Sequence, residues 1–241
     1  MKHRFLPLLA MLAGCFSCSI ARSPYAPQQD PIHNISESTA VLIGRDAHGD
    51  VGGVCSAVWV SQVELLSAAH CSALAFKDDD EADSEDPIGH EIEFINHSDL
   101  GQQLLDGATP SGTGVIVAID QSKDLMLMSG PRNRHSVATF YTGDIEQGMP
   151  LLMLGHTFGL PYSLSTGVLG ADRMMRYKGN FRHMLQIVSG ASYGNSGGGA
   201  WSEDGQLLGL CSFRIEDSVL TFAVHRDVLL SFLKHEGVSV N

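Results

Sequence analysis

The sequence predicts an all-β fold, an antiparallel sandwich or barrel that is closed by one helix near the end of the chain. Three observations carry this prediction. Short apolar or alternating segments recur from Thr39 onward, Gly, Asp and Pro separate them, and one late segment has the apolar spacing of a helix. Strands of this length and spacing are typical of antiparallel sheets rather than of a parallel sheet with crossover helices. With 241 residues and 44% hydrophobic content, the chain can bury one large β-rich core or two small ones.

The first 21 residues have the pattern of an export leader, because a basic start precedes a short apolar run over 5–13. The residues Leu-Ala-Gly-Cys at 12–15 resemble the lipobox of bacterial lipoproteins, in which the cysteine, here Cys15, is lipidated and becomes the first mature residue. This resemblance predicts an exported, lipid-anchored protein of the cell envelope, and the residue after Cys15 favours the outer membrane. One alternative is cleavage after Ala21, which would release a soluble periplasmic or secreted protein. The other alternative is a leader that is not cleaved and remains as a membrane anchor.

Residues 22–38 contain three prolines and little apolar periodicity, which predicts a flexible tether. A single domain is then predicted over 39–241, with its strands in two sets. The first set is predicted at 39–43, 54–60, 63–68, 91–95, 114–119 and 125–128. The second set is predicted at 150–154, 164–169, 184–189, 206–211 and 218–224.

The predicted helix starts near Asp227, whose carboxylate complements the positive end of the helix dipole, and Gly237 is placed to end it. Lys234 and His235 lie in its last turn. Its apolar face consists of Val228, Leu229, Phe232 and Leu233.

The formal net charge of −12 argues against nucleic acid as a partner, because such binding needs cationic side chains that neutralise phosphates. No apolar run is long enough to span a bilayer. The histidines at 97, 156 and 183 lack metal-ligand spacing, so the sequence predicts neither a metal nor a cofactor. The acidic run at 78–86 is predicted to be a solvated surface loop; a calcium loop is the alternative, although no EF-hand spacing is present.

The five cysteines fall into two groups. Cys15 and Cys18 lie in the leader region, and Cys55, Cys71 and Cys211 lie in the predicted domain. In an oxidising compartment Cys55 and Cys71 can form a disulfide, which leaves Cys211 without a disulfide partner in the domain. The alternative is three buried, reduced thiols that pack as small hydrophobic groups.

A histidine and a serine stand in segments that suit nucleophilic catalysis. Ser-Ala-Ala-His-Cys at 67–71 puts His70 at a strand end, and Gly-Asn-Ser-Gly-Gly at 194–198 puts Ser196 in a turn whose backbone N–H groups can face a substrate. A hydroxyl is a weak nucleophile until a base takes its proton. The pair therefore indicates acyl transfer and, with an aspartate between them in the chain, a serine endopeptidase.

Four aspartates between His70 and Ser196 are candidates to orient the histidine. Asp99, Asp106 and Asp120 lie near Asp124 in the sequence. Asp124 is favoured because it alone opens an alternating apolar strand.

These segments resemble trypsin/chymotrypsin-like serine peptidases. The residues at 54–58 and 65–71 are similar to that family's histidine segment, 124–128 to its Asp-Leu-Ala-Leu-Leu strand, and 194–198 to its nucleophile turn. The order His, Asp, Ser is also that of the family. The resemblance implies two six-stranded antiparallel β-barrels with a C-terminal α-helix, and a disulfide between Cys55 and Cys71.

A closer resemblance is to the HtrA/Deg branch of bacterial peptidases. Residues 154–160 and 165–169 are similar to its Gly-Asn-Pro-Phe-Gly and Thr-Gly-Ile-Val segments, and 222–224 to its Phe-Ala-Ile strand. Asn195 precedes the serine as in that branch, so activation by an ion pair with a new N-terminus is not expected. The PDZ domains of that branch have no counterpart in this sequence.

The resemblance implies a role for each residue. Ser196 would be the nucleophile and His70 the general base, and Asp124 would hold the imidazole. The backbone N–H groups of Gly194 and Ser196 would form the oxyanion hole.

The resemblance also implies a substrate pocket beside the strand that carries Ser212, Phe213 and Arg214. Gly190 lies near the position where trypsins have an Asp, so cleavage after Lys or Arg is not favoured. Arg214 and Thr221 replace glycines of large-pocket enzymes, which predicts a shallow pocket for small or aliphatic side chains. Cys211, next to this wall, is predicted to be a packing residue rather than a redox switch. The predicted partner is a polypeptide substrate.

Three other functions fit the same motifs. The chain could be a narrow processing protease, an esterase, or a catalytically silent pseudo-protease that binds extended peptides by strand addition. Labelling of Ser196 by a fluorophosphonate separates the enzymes from the pseudo-protease.

Overall fold

Twelve strands form two closed, six-stranded antiparallel β-barrels, which confirms the predicted fold class. They are seen in a computed structural model that describes residues 30–76, 85–100, 105, 108–177, 179–190 and 192–240. The leader with Cys15, residues 22–29 of the predicted tether, and residues 78–84 of the acidic run lie outside the described residues. In the described part of the chain, no helix has the length and apolar content to cross a membrane.

The first barrel has the strand order β1-β2-β3-β6-β5-β4 and the second the order β10-β11-β12-β9-β8-β7. The first consists of β1 (Thr39–Arg45), β2 (Val51–Trp59), β3 (Glu64–Ser67), β4 (Glu91–Asn96), β5 (Gly112–Asp120) and β6 (Leu125–Ser129). The second consists of β7 (Pro150–Gly155), β8 (Ser163–Tyr177), β9 (Asn180–Ser189), β10 (Gly199–Trp201), β11 (Leu207–Arg214) and β12 (Leu220–His225). Each predicted strand overlaps an observed one.

Two differences from the predicted strands have a local cause. β10 was not predicted, because its three residues are too few to show an alternating pattern. β8 continues eight residues beyond its predicted end at 169, as one arm of a long hairpin with β9. Most side chains in that extension are exposed or half-buried, so the sequence there carries no apolar alternation.

One buried hydrophobic cluster, the shared core, spans both barrels, and each barrel has a further buried cluster of its own. Val58 and Leu66 of the first barrel belong to the shared core together with Trp201 and Leu210 of the second. These contacts join the two barrels, and the candidate site lies between them.

Part of the predicted tether is folded. Helix α1 (Pro31–Glu37) precedes β1, and the side chain of Asp30 caps it by accepting a hydrogen bond from the Ile32 backbone N–H at 3.0 Å. Ile35 is fully buried in the shared core. Pro31 was one of the three prolines that predicted a tether, but the first position of a helix accepts proline because its N–H needs no partner there.

A short helix α2 (His97–Leu100) follows β4, and the predicted C-terminal helix is present as α3 (Arg226–His235). Leu229, Phe232 and Leu233 of α3 are buried, and Gly237 follows with a φ of 76°. A left-handed residue at this position is a common helix end and favours glycine.

Two stacked histidines and an aspartate, on three adjacent strands, lie at the start of α3. His225 Nδ1 accepts the Asp227 backbone N–H at 3.1 Å, so the neutral ring carries its proton on Nε2. That Nε2 lies 3.9 Å from Asp172 Oδ2, and the stacked ring of His183 places Nε2 2.6 Å from Asp172 Oδ1. Because this cap leaves the proton of a neutral His225 on Nε2, that nitrogen is a donor. A metal ligand needs a nitrogen without a proton.

Cys55 on β2 and Cys71 form a disulfide, as predicted. Cys71 lies in a 3-10 helix (Ala69–Ala75) that follows β3. A cross-link that closes a loop of this size stabilises a folded domain by about 3 kcal/mol. It also ties the segment that carries His70 to the wall of the first barrel.

Candidate active site

His70 and Asp124 meet because their strands are paired. His70 follows the end of β3 and Asp124 immediately precedes β6, and these strands pair with Ser67 opposite Met126. The His70 Nδ1–H donates to both carboxylate oxygens of Asp124, at 3.0 and 3.1 Å. The backbone N–H of His70 donates to Asp124 Oδ1 at 3.1 Å. This arrangement keeps the proton of a neutral ring on Nδ1 and leaves Nε2 as a base.

The surroundings of Asp124 keep its carboxylate ionised. The Ser212 hydroxyl donates to Oδ2, and Arg182 Nη1 lies 3.7 Å from the same oxygen. Burial of the side chain, which is 8% exposed, acts to raise the pKa of Asp124. The hydrogen bonds and charge of His70 and the Ser212 hydrogen bond outweigh burial, so the pKa is lowered. Asp124 has a φ of 61°, in the left-handed region that Asp tolerates better than most residues.

The competing aspartates have other partners or positions. Asp120 accepts hydrogen bonds from Ser122 and from the backbone N–H of Lys123 at the far end of the same turn. Asp99 lies in α2. Asp106 lies outside the described residues.

The turn with Ser196 packs against the first barrel. The Ser196 carbonyl accepts the Ser56 backbone N–H at 2.7 Å, and Cys71 Sγ lies 3.8 Å from the same oxygen. Gly197 has a φ of 79°, and a Cβ there would lie 2.1 Å from the carbonyl oxygen of Ser56. Glycine is therefore required for this close approach.

The hydroxyl of Ser196 makes no hydrogen bond with His70 in the described part of the chain, although the two residues belong to neighbouring segments. The bond from His70 Nδ1 to Asp124 leaves Nε2 free to accept from this hydroxyl, and the His70 side chain is 44% exposed. Bonds between nucleophile and base are often long in unliganded enzymes and shorten when substrate binds.

Two backbone N–H groups beside Ser196 have no acceptor among the described residues: those of Gly194 and of Ser196 itself. The Tyr193 carbonyl accepts the Phe158 backbone N–H at 2.7 Å. Because the C=O and N–H of a trans peptide point in opposite directions, the Gly194 N–H of this same peptide points away from Phe158. Two free, adjacent donors of this kind suit a developing oxyanion.

A buried histidine that the sequence did not single out as functional supports the Gly194 backbone. The Ser56 hydroxyl donates to the Gly194 carbonyl at 2.7 Å and accepts from His156 Nδ1 at 2.8 Å. His156 is fully buried, and its Nε2 has no partner among the described residues. In the sequence, the one sign that His156 is unusual is that the Gly-Asn-Pro-Phe-Gly segment of the HtrA/Deg branch has Asn at this position. The three groups form one hydrogen-bonded chain behind the turn.

His156 is expected to make the fold sensitive to acid. Burial, helped by the charge of His97, lowers the pKa of His156 from its ordinary 6.5 to about 3. Because the unfolded chain binds the proton first, the contribution of His156 to stability is complete above pH 6.5 and is lost as the pH falls from 6.5 toward 3. Urea unfolding at pH 7, 6 and 5 measures this, and over that range we expect the His156→Asn variant to lose about 1 kcal/mol less per pH unit than the wild type.

The exposed His235 on α3 provides the control, since His235→Asn is expected to keep the wild-type slope. His225, whose pKa burial also lowers, remains in both variants and leaves a residual slope in the same direction. Equal slopes for the wild type and His156→Asn would contradict this account of His156.

A cavity of about 190 Å³ adjoins the serine turn. It is lined by Ser192, Tyr193, Cys211, Phe213, Arg214, Glu216 and Thr221. Of the residues predicted for the pocket, this lining contains Phe213, Arg214 and Thr221. Ser212 and Gly190 are not among its lining residues, and the buried hydroxyl of Ser212 turns to Asp124. Ser192, Tyr193 and Glu216 are lining residues that the sequence reasoning missed.

Cys211 is a free, buried cysteine at the wall of this cavity. Burial and the neighbouring charge of Asp124 raise the pKa of its thiol to about 12. The thiol is therefore neutral at physiological pH, as a packing residue would be.

A second cleft, of about 470 Å³, adjoins Tyr193 and Gly194. Its walls come from the start of β2, at 51–54, and from the segment at 158–160. Phe158 is 70% exposed there and has a φ of 54°. An exposed aromatic side chain of this kind offers apolar contact to a ligand in the cleft.

Comparisons with known proteins agree with this geometry. A family model described as a trypsin-like peptidase domain matches residues 55–210. Protease Do-like 1, chloroplastic, of Arabidopsis thaliana is 28% identical over 120 residues, which are 47% of this chain. The chain covers 27% of the length of that curated relative.

Solved structures of similar fold include two proteases. The HtrA-type protease AlgW with a tripeptide superposes with a TM-score of 0.67 at 18% identity, over 86% of this chain and 62% of that one. The active form of the Rv3671c protease from M. tuberculosis superposes with a TM-score of 0.68 at 16% identity, over 87% of this chain and 86% of that one. At these identities the likeness concerns the fold.

Proposed function

Because this chain belongs to the trypsin-like peptidase family, we propose that it is a serine endopeptidase whose triad consists of His70, Asp124 and Ser196. One observation carries the proposal. His70 is oriented by a buried, ionised Asp124, in the segment next to a glycine-flanked serine turn with two free N–H groups.

The proposed reaction proceeds through an acyl-enzyme. Ser196 Oγ attacks the carbonyl carbon of the scissile peptide while His70 Nε2 takes the hydroxyl proton. The C–N bond then breaks, and His70 returns the proton to the leaving amine. Water hydrolyses the resulting ester with His70 again as the base. Asp124 stays ionised throughout and stabilises the charged imidazole.

The oxyanion of each tetrahedral intermediate would accept hydrogen bonds from the N–H groups of Gly194 and Ser196. Each such donor contributes about 3–4 kcal/mol to transition-state stabilisation in comparable enzymes. The chain from His156 through Ser56 supports this role, because it holds the Gly194 carbonyl and thereby limits rotation of the turn.

The end of β11 is the proposed binding strand for substrate. Pairing with β10 ends at Leu210, and the backbone contacts of Cys211 are with Gly197 and Gly198. Beyond that point, the edge at 212–214 that faces away from β12 has no strand partner in the described part of the chain. An extended peptide can add to such an edge through backbone hydrogen bonds.

The test is labelling by a fluorophosphonate, followed by identification of the modified residue. We expect a covalent adduct on Ser196, together with cleaved peptides when the mature protein is incubated with a denatured proteome. The second candidate is the catalytically silent peptide-binding pseudo-protease, which is favoured by the absent bond between the Ser196 hydroxyl and His70. Peptide binding without labelling and without cleavage would identify that candidate and reject the enzyme.

We also propose that the protein is exported and anchored to the cell envelope by a lipid on Cys15. The support is the lipobox pattern and the disulfide, which requires an oxidising compartment. Metabolic labelling with an alkyne fatty acid in a bacterial host should tag the wild type and the Cys18→Ser variant but not Cys15→Ser. A soluble product that begins at Arg22 would instead support cleavage after Ala21.

A further inference from the structure

Building on the proposed endopeptidase activity, we propose that Arg214 selects substrates with Asp or Glu immediately before the cut, by binding that carboxylate in the cavity beside the serine turn. The two charged residues that line this cavity are Arg214 and Glu216.

Arg214 is an unpaired guanidinium. Four arginines of the described chain are not fully exposed, and three have oxygen acceptors at 2.9 Å or closer: Arg45 to Glu93 at 2.7 Å, Arg182 to the Ser122 carbonyl at 2.8 Å and Arg226 to the Tyr141 carbonyl at 2.7 Å. The guanidinium of Arg214 has neither a hydrogen bond nor an ion pair with any described residue, and its Nε is buried without a partner. Among these four arginines, Arg214 is the one whose guanidinium has no oxygen acceptor in the described part of the chain.

An unpaired, partly desolvated guanidinium favours an anionic ligand. Removing such a group from water is costly unless hydrogen bonds replace the lost hydration. A carboxylate offers two acceptor oxygens that match the guanidinium geometry. A bound substrate carboxylate would therefore supply the acceptor oxygens that the Arg214 guanidinium lacks in the free protein.

The position of Arg214 keeps its donors available. Its Cζ lies 4.7 Å from the centre of the Tyr193 ring, so the face of the guanidinium is covered. The two Nη groups, which unlike Nε are not buried, lie in the guanidinium plane and remain free to donate. The rest of the cavity wall contains the small polar residues Ser192 and Thr221 and the neutral thiol of Cys211.

Glu216 is the opposing charge in the same lining. It is exposed, its Oε1 accepts the Tyr193 hydroxyl at 3.2 Å, and no ion pair joins it to Arg214. Solvent screens an exposed carboxylate much more than a partly buried guanidinium. The charge of Arg214 therefore dominates the inner part of the cavity, and the cavity is selective for acids rather than for bases.

This inference changes the expectation for small or aliphatic side chains. The prediction of a shallow pocket assumed that the Arg214 side chain fills part of the space. With its guanidinium against Tyr193, the side chain lines a cavity of about 190 Å³ instead of filling it.

The test compares peptides that differ only in the residue before the cut, which is Glu, Gln, Val or Lys. We expect the wild type to cleave the Glu peptide with a kcat/KM about 10-fold or more above that for the Gln peptide. Arg214→Gln should bring this ratio close to one, and Arg214→Glu should shift the preference toward Lys. Arg173→Gln, a change of an exposed arginine on β8, is the matched control and should keep the wild-type ratio.

Labelling by fluorophosphonate is measured in parallel and gives the fraction of active enzyme in each sample. A labelled wild type that prefers Val or Lys, or a Glu preference that survives Arg214→Gln, overturns the inference and leaves the endopeptidase proposal standing. Without labelling or turnover, the endopeptidase proposal fails. The affinities of Ser196→Ala for the Glu and Gln peptides then decide the inference, since equal affinities overturn it.

Discussion

Replacing Ser196 by Ala is expected to lower kcat/KM for peptide hydrolysis by about 10⁴-fold or more without unfolding the protein. The change removes the only atom that forms the acyl bond in the proposed reaction. It keeps the backbone contacts that hold the turn, because Ser56 donates to the carbonyl of residue 196 and not to its side chain. Turnover of a fluorogenic peptide and labelling by a fluorophosphonate should disappear together, whereas the urea midpoint should stay near that of the wild type.

Ser231→Ala is the matched control for this experiment, since Ser231 is an exposed residue of α3 that makes no contact with the serine turn. It should retain both turnover and labelling. Hydrolysis by Ser196→Ala at the wild-type rate would remove Ser196 from the triad and would require a different nucleophile.

Replacing Asp124 by Asn is expected to lower kcat by about 10⁴-fold. The carboxylate accepts from His70 Nδ1, from the His70 backbone N–H and from the Ser212 hydroxyl. An amide has one oxygen in place of two, and its NH₂ group cannot accept from His70 Nδ1–H. The neutral imidazole is then driven to carry its proton on Nε2, where it cannot act as a base toward Ser196.

Asp120→Asn gives the comparison that tests the choice of aspartate. Asp120 lies in the same turn and is also ionised, because hydrogen bonds from Lys123 and Ser122 outweigh burial and lower its pKa. Its loss should leave peptide turnover within a few-fold of the wild type. If both variants lose activity equally, the effect comes from the turn as a whole, and a fully active Asp124→Asn would exclude Asp124 from the mechanism.

The agreement between sequence and structure is closest where one segment carries its own pattern. The strands that pack in the barrels alternate or are continuously apolar, so their places could be predicted to within a few residues. The extension of β8 to Tyr177 could not, because none of its own side chains beyond residue 169 is fully buried. Helix α1 was missed for a related reason, since Ile35 is the one apolar residue that it buries fully and a single residue has no period.

The candidate site divides in the same way. His70, Asp124 and Ser196 were recognisable because each lies in a short motif with its own local pattern. The sequence marked His156 only by its departure from the family's Asn, and its contribution could not be derived from that, because its partner Ser56 lies one hundred residues away in the other barrel. Ser212 was predicted to line the pocket and instead donates to Asp124, a contact that depends on how the two barrels pack against each other.

From its sequence alone, this chain's all-β class, its two sets of strands, its C-terminal helix and its candidate nucleophile, base and orienting acid could be named. These features depend on residues that are neighbours along the chain, where periodicity and turn chemistry act directly. The tertiary structure alone decided that Ser56 and His156 hold the Gly194 backbone and that the Arg214 guanidinium has no hydrogen-bond acceptor among the described residues. Both depend on contacts between the barrels or around a cavity. Whether a buried polar group has a partner is a property of the packed molecule, which no single segment of the sequence contains.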